Sequence, residues 1–327
     1  GVGSTDMANA WFTEDVRVRV PESVRVVLRG ALPAGTTAKD IMLALLALPF
    51  FRTSQGIGKV LEFTGDGVFR LPLDERATLT NMAVEAGGFT GIIAADHVVI
   101  DTLSRTRGLS HDTLRAMTVT SDEGAVYAHE LELDLTTLVP MIARPGDPRN
   151  GHAVTALEAD VPIQIAYGGS CTGGKAHDMD LYARVFEEAL AKGQRVAPGV
   201  ECFIQYGSQH IRAYAESRGY DVVFRDVGAK VLDPSCGACI NAGPGASKDA
   251  STVTISAQNR NFPGRSGPGD VWLASPLTVA ASAIATKIQN VTRAPPRWSA
   301  SQPPSGRSTA PISGPSHTRC SASARWN

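Results

Sequence analysis

A cysteine in the glycine-rich turn Gly168-Gly-Ser-Cys-Thr-Gly-Gly174 and a Cys-x-x-Cys pair in Asp233-Pro-Ser-Cys-Gly-Ala-Cys239 constrain this chain most. Thiols presented on loops are ligand positions. Cys171, Cys236 and Cys239 can make three bonds to a metal centre and leave a fourth coordination position open. An iron-sulfur cluster, a zinc ion and a redox dithiol all use a Cys-x-x-Cys, and three buried packing thiols are the plain alternative. Downstream, Gln258-Asn-Arg-Asn-Phe-Pro-Gly-Arg265 gathers guanidinium and amide groups, a composition that grips carboxylates. A metal site and an anion site are therefore expected to meet.

The cysteine turn has a competing reading. Gly169-Ser-Cys-Thr-Gly-Gly-Lys175 has the Gly-x-x-x-x-Gly-Lys spacing of a phosphate-cradling loop between a strand and a helix. Ala176 follows, however, where such a loop needs a Ser or Thr hydroxyl for magnesium. Cys202 sits within Val200-Glu-Cys-Phe-Ile204 and reads as core packing, with recruitment as a fourth zinc thiolate the alternative. The seven histidines show no metal-ligand spacing and receive no role. Asn81 and Glu85 are four residues apart, so on a helix they share one face and can reach one centre.

Thirty-one basic residues against 32 acidic ones leave a net charge of -1, so no overall field draws the chain to nucleic acid or an anionic membrane. No apolar run has the length of a membrane span, and the start lacks a signal peptide. Five cysteines in 327 residues make no disulfide framework, and free thiolate ligands suit a reducing cytoplasm. Gly1 in place of methionine reads as a start that is trimmed or incomplete.

Strand and helix alternate, which predicts an α/β fold with parallel or mixed sheets. Strands are expected at 24–30 and 89–95, and helices from Thr37 and over Ala77 to Glu85. The apolar stretch Ile41 to Phe51 reads as a buried helix interrupted by Pro49. The turn-rich segment 143–151 marks a boundary between domains 1–145 and 146–287. Beyond it come strand 161–167, helix 178–192, strand 200–206, helix 208–218, strand 220–224, and a helix opened by Ser275-Pro276 and running to about Thr286. Cys171 then lies just past the carboxyl end of a strand, where open α/β sheets place ligands. From 288 a tail is expected. Residues 292–327 are rich in Ser, Pro, Ala and Arg, lack any Asp or Glu, and read as disordered, either an artefact of the sequence or a basic arm. Cys320 lies there and is not a ligand candidate.

The Gly-Ser-Cys-Thr turn, the Cys-x-x-Cys after Pro234, Asn259-Arg-Asn-Phe-Pro-Gly-Arg265, Gly35-Thr-Thr-Ala-Lys-Asp40 and Thr78-Leu-Thr-Asn-Met-Ala-Val-Glu-Ala-Gly87 together resemble the aconitase and isopropylmalate isomerase large-subunit family, over residues 1 to 287. The resemblance implies two aconitase-like α/β domains, the family's second and third. It assigns Cys171, Cys236 and Cys239 to a [4Fe-4S] cluster whose fourth iron acts as Lewis acid on a hydroxy-di- or tricarboxylate. It places Glu85 at the departing hydroxyl, Asn81 within the active site, Asn259 against a cluster sulfur or cysteine, and Arg260 and Arg265 on substrate carboxylates. The family more often has Asn where Gly173 stands.

The resemblance implies a 3-isopropylmalate dehydratase-like large subunit with a small swivel-domain partner. Homoaconitase, aconitase and dimethylmalate dehydratase-like hydro-lyases are the alternatives, and a truncated non-catalytic iron-sulfur protein is the alternative of another class. Phe262-Pro-Gly-Arg265 and Trp272-Leu-Ala-Ser-Pro276 lean towards the isopropylmalate and homoaconitate branch. The family's first domain and swivel domain, the latter carrying the base, have no counterpart in these residues, so the isolated chain is expected to be inactive.

Overall fold

The computed structural model describes residues 3–16 and 18–291. Strands β1 (Ser23–Arg29), β2 (Val60–Thr64), β3 (Thr90–Ile93) and β4 (His129–Asp134) form an all-parallel sheet in the order β3-β2-β1-β4. Alternation in β1 puts Val24, Val26 and Leu28 fully inside. A second sheet takes β5 (Met141–Ala143), β6 (Gly151–Ala153), β7 (Ile165–Gly169), β8 (Glu201–Gln205), β9 (Lys230–Leu232), β10 (Val253–Ser256) and β11 (Asp270–Ala274). Its order is β6-β5-β11-β10-β7-β8-β9, with β5 antiparallel to both neighbours and every other pair parallel. The mixed α/β architecture expected from the alternation is what forms.

Chain order runs outward from β7 through β8 to β9, then restarts on the other side of β7 with β10 and β11. The crevice between the carboxyl ends of β7 and β10 is therefore a topological switch point, the place where open α/β sheets bind ligands. One core surrounds β1 and β2 and extends to Val271 and Leu273 of β11. A second lies around β7, β8 and the helices against them.

Four local expectations need correction. Tyr220 to Phe224 is not a strand but the start of the helix Tyr220–Val227. Tyr220, Phe224 and Val227 fall at i, i+4 and i+7 and bury one helical face while Val222 stays exposed, so helical periodicity outweighs the β-propensity of Val222 and Val223. The edge strand is supplied by β9 instead. The helix expected at 77–85 runs from Leu73 to Asn81, opened by Pro72, and gives way to a 3-10 turn over Met82–Ala86. Strand 161–167 starts later, at Ile165, after Pro162. The tail expected from 288 starts later too: Ile288 is buried and its N–H bonds Val161, and Gln289 N–H bonds Ser282 Oγ. The remainder of that tail lies outside the described residues.

The helix Ala38–Leu46 opens with a reciprocal cap, Thr37 Oγ1 accepting from Lys39 N–H and the Asp40 carboxylate accepting from Thr37 N–H at 2.8 Å. This turn joins the two sheets. Asp40 Oδ1 also accepts from Met141 N–H at 2.7 Å, Glu75 Oε2 accepts from Ala38 N–H, and Lys39 Nζ donates to the Gln258 carbonyl. Burial pushes the Asp40 carboxyl up to about 7 and the Lys39 ammonium down to about 8, the latter against the attraction of Glu85. The apolar run breaks at Pro49, as its sequence predicts, and Pro49–Arg52 forms a separate turn of helix. No helix among the described residues is long and apolar enough to cross a membrane.

Phe224 is wholly buried, with ring centroids 6.1 Å from Phe186 and 6.3 Å from Tyr220. Phe224→Ala is expected to cost about 3–5 kcal/mol in denaturant unfolding; a loss below about 1 kcal/mol would show that this helix does not pack as described.

The depressed Lys39 also sets a pH signature. An unfolded lysine keeps its proton to about 10.4, so from pH 8 to 10 the unfolded state holds more protons and this residue's contribution to stability rises with pH. The chain should gain on the order of 2 kcal/mol relative to Lys39→Met across that window. Parallel stability curves for the two proteins from pH 7 to 10 would contradict it.

Candidate active site

Both cysteine loops are built from the buried ends of β7 and β8. At the end of β7, Gly169 has φ of +114°, and a Cβ there would stand 2.1 Å from the Gln205 carbonyl oxygen, so only glycine turns the chain at this point. Ser170 follows in the left-handed region at φ 66°, a conformation that costs a non-glycine residue energy and collects at functional sites. Gly169 N–H donates to Tyr182 Oη and Tyr182 Oη donates to the Gly173 carbonyl, each at 3.0 Å, pinning the Cys171 turn from below. Lys175 Nζ bonds Asp178 at 2.6 Å and also the Thr172 carbonyl, so the lysine of the phosphate-loop spacing is engaged within its own turn.

The second loop hangs on Gln205. Its Nε2 donates to Ser235 Oγ at 2.7 Å and to the Asp233 carbonyl at 3.3 Å, while Tyr167 Oη donates to its Oε1 at 2.9 Å. Cys236 and Cys239 close a tight turn, with Cys239 N–H bonded to the Cys236 carbonyl at 3.0 Å. Gly237 has φ of +47° within it, with Tyr167 Oη and Gln205 Nε2 each 3.0 Å from where a Cβ would stand.

The 3-10 turn after Asn81 splits the two residues expected to share a helical face, sending them to opposite walls of the crevice. Asn81 Nδ2 donates to Thr172 Oγ1 at 2.8 Å and lies 3.7 Å from Cys171 Sγ. Glu85 has a fully buried side chain and accepts through Oε1 from Asn259 Nδ2 at 2.8 Å and Arg260 Nε at 2.5 Å. Its Oε2 is buried without a partner. Arg265 Nη2 reaches Cys239 Sγ at 3.7 Å while its Nε is also buried and unpaired. Asn261 fastens the arginine loop, donating to the Arg144 and Val271 carbonyls at 2.7 and 3.1 Å.

Of the eight residues singled out by sequence, Asn81 meets the Cys171 turn, Asn259 and Arg260 meet Glu85, and Arg265 meets Cys239, while Cys236 sits in the loop tied to Gln205 through Ser235. Glu85, Arg260 and Arg265 line a cavity of about 440 Å³, which Arg149 also faces and which Ile57, Val84 and Phe262 edge. Arg149 is held in a fork by Asp147, at 2.9 and 2.6 Å, and the guanidinium in turn keeps the Asp147 carboxyl below its usual range despite partial burial. Sequence reading does not single out Lys39, Arg149 or Thr172. The one available signal was Lys39, a charged residue in the first turn of an otherwise apolar helix.

The donor set fits an iron-sulfur cluster. Cys171 and Cys236 are exposed and Cys239 half-buried, all as free thiols, and an amide and a guanidinium point at two of the sulfurs, which suits thiolates. Among the described residues no three His, Cys, Asp or Glu groups converge tightly enough to hold one metal ion. A cluster spreads its cysteines over different irons, so its ligands need not converge on a point. Cys202 takes no part: it is 1% exposed, and burial pushes its thiol up to about 12.

Fold and site together define an α/β protein with exposed loop thiols and an arginine-lined cavity beside a topological switch point. The chain belongs to the aconitase family: the family model described as aconitate hydratase matches residues 1–160 and 157–286. It is 38% identical to the 3-isopropylmalate dehydratase large subunit of Campylobacter hominis, over 90% of this chain and 68% of that protein. It is also 38% identical to the corresponding protein of Campylobacter concisus, over 88% of this chain and 66% of the relative. The mitochondrial homoaconitase of Gibberella zeae matches at 38% identity over 87% of this chain and 38% of its own length. The chain thus spans between about two fifths and two thirds of these curated relatives.

Replacing Cys236 by Ser should abolish iron and sulfide binding in anaerobically purified protein, whereas Cys202→Ser should leave both unchanged. Equal loss in the two variants, or stoichiometric zinc without broad visible absorbance in the parent, would overturn the ligand assignment.

Proposed function

We propose that this chain is the cluster-carrying part of a hydro-lyase of the 3-isopropylmalate dehydratase type, which isomerises a hydroxy-dicarboxylate by removing and re-adding water. The observation that carries this reading is that Glu85 and Arg265 both line one cavity and each has a buried side-chain atom without a hydrogen-bond partner, Glu85 Oε2 and Arg265 Nε. A buried acceptor beside a buried cationic donor leaves both without hydrogen bonds unless a ligand supplies them. A ligand with a carboxylate for the guanidinium and a hydroxyl for the glutamate satisfies both.

In this reading Cys171, Cys236 and Cys239 hold a [4Fe-4S] cluster, which supplies Lewis acidity towards the substrate hydroxyl. Arg265, and Arg260 with the donors not used on Glu85, grip substrate carboxylates by charge-assisted bonds. Asn259 and Arg260 fix Glu85 through Oε1, which leaves Oε2 to hydrogen-bond the departing hydroxyl and hold its proton. Asn81 orients the Cys171 turn through Thr172. Breaking the adjacent carbon–hydrogen bond needs a base, and no residue gathered at this cavity is assigned that role; the reading assigns it to a small-subunit partner of swivel-domain type, on a cytoplasmic enzyme. The division into domains 1–145 and 146–287 belongs to the same proposal.

The rim favours an alkyl-substituted dicarboxylate over a tricarboxylate. Ile57, Val84 and Phe262 expose apolar surface at the mouth, and Arg149, the additional cation there, is already neutralised by Asp147.

The test is turnover of 3-isopropylmalate, followed by the ultraviolet absorbance of the conjugated alkene. The 327-residue chain alone is expected to be inactive, and activity to appear when a small subunit and the remaining large-subunit segments are supplied. In that assembly Glu85→Gln should lower kcat by about 10²–10⁴ with the cluster retained. Robust turnover by the chain alone, or an assembly indifferent to Glu85→Gln, would refute the assignment.

A further inference from the structure

Lys39 is buried to 2% exposure in a place that penalises a cation twice. It lies in the first turn of the helix Ala38–Leu46, where the helix dipole repels positive charge, and it is removed from water. Among the described residues it makes no ion pair with a carboxylate. Its ammonium hydrogen bond crosses 219 residues of sequence to the backbone carbonyl of Gln258. Gln258 immediately precedes Asn259 and Arg260, the two residues that hold Glu85 Oε1.

We propose that Lys39 is a positioning residue of the anion site, holding the Gln258–Arg265 loop by the Gln258 carbonyl so that Asn259 and Arg260 meet Glu85 and Arg265 faces the cavity. Ala257 N–H bonds the Tyr167 carbonyl at 2.9 Å just before the loop, and Asn261 fastens its middle, so Lys39 is the tie at Gln258 itself. Gln258 N–H bonds Ser256 Oγ at 3.1 Å and its side chain accepts from Ser266 Oγ at 3.1 Å, both short-range links within the same strand-loop segment. Lys39 is the link from the other sheet's helix. Its charge also faces Glu85, so the ammonium attracts the carboxylate that the loop grips, while Lys175 opposes it from the cysteine turn. A buried cation that costs stability and steadies a binding loop exchanges one for the other.

Such an exchange gives opposite signs for stability and loop order. Lys39→Met keeps the length and shape of the side chain and removes charge and donor. Measured on the chain itself by hydrogen–deuterium exchange, the variant should show several-fold faster exchange confined to Gln258–Arg265, with a melting temperature equal to or above that of the parent at pH 7. Lys39→Gln, which restores a neutral donor, should return the loop part of the way. Unchanged exchange in that loop overturns the proposal. So does a lowered melting temperature with faster exchange throughout, which would make Lys39 a general structural residue.

The consequence for turnover rests on the hydro-lyase reading. In the complete assembly Lys39→Met should raise KM for the hydroxy-dicarboxylate by about tenfold or more, with kcat less affected and iron content unchanged. An inactive parent assembly would count against that reading, while the exchange measurement decides on Lys39 independently.

Discussion

The buried carboxylate of Glu85 is the constraint on which the rest of the molecule depends. A glutamate with no exposed side-chain surface is tolerated only if its charge is paired, here by Arg260. Its partners, Asn259 and Arg260, come from the loop after β10, in the other sheet and 174 and 175 residues away. Satisfying Glu85 therefore fixes how the 3-10 turn Met82–Ala86 enters the crevice between β7 and β10. That entry also brings Asn81 onto the Cys171 turn, so the two ends of one short segment set both walls of the site.

The switch point explains why the thiols stand where they do. Cys171 follows β7, the arginine loop follows β10 on the other side of the crevice, and the Cys-x-x-Cys follows β9, two strands along. Gln205 at the end of β8 spans the gap, accepting from Tyr167 of β7 and donating to the loop that carries Cys236. Two cysteine loops separated by more than sixty residues are thereby referenced to one buried amide. The sheet provides a rigid edge, and a small number of internal hydrogen bonds converts that edge into ligand geometry.

Much of this was legible in the sequence where chemistry and local signals coincide. The three cysteines, Asn259, Arg260 and Arg265 lie in glycine- and proline-rich loops, and the structure brings Asn259 and Arg260 to Glu85, Asn81 to the Cys171 turn and Arg265 to Cys239. Thr37 and Ser275 announced helix starts through their capping side chains, and both cap as read. Tyr220 to Val227 was misread because two adjacent valines carry a β preference, and what decides the segment is a hydrophobic face that only exists once Phe186 is in place. Asn81 and Glu85 could not be separated in advance, since four-residue spacing implies one face only if the helix continues. Lys39 offers only a weak signal, a charge in the first turn of an apolar helix, because its significance is burial and a bond to a carbonyl 219 residues away, which no local pattern records.

The cost of the site is concentrated in a few groups. Ser170 holds a left-handed backbone, Glu85 Oε2 and Arg265 Nε are buried without partners, and Lys39 carries charge into the core at the wrong end of a helix. Each lowers stability, and two of the residues, Glu85 and Arg265, line the cavity. The packing around them is conventional: Tyr182, Phe186 and Phe224 fill the second core completely, and the polar side chains beneath the cysteine loops are bonded through Gln205 and Tyr182. Other buried atoms also lack hydrogen-bond partners, among them Asp96 Oδ2, Ser170 Oγ, Tyr206 Oη, Thr254 Oγ1 and Asn261 Oδ1, but of the residues that hold such atoms only Glu85 and Arg265 line the cavity. Glu85 Oε2 and Arg265 Nε, an anionic acceptor and a cationic donor on two residues of that lining, are satisfied together by a ligand that presents both a donor and an anionic acceptor.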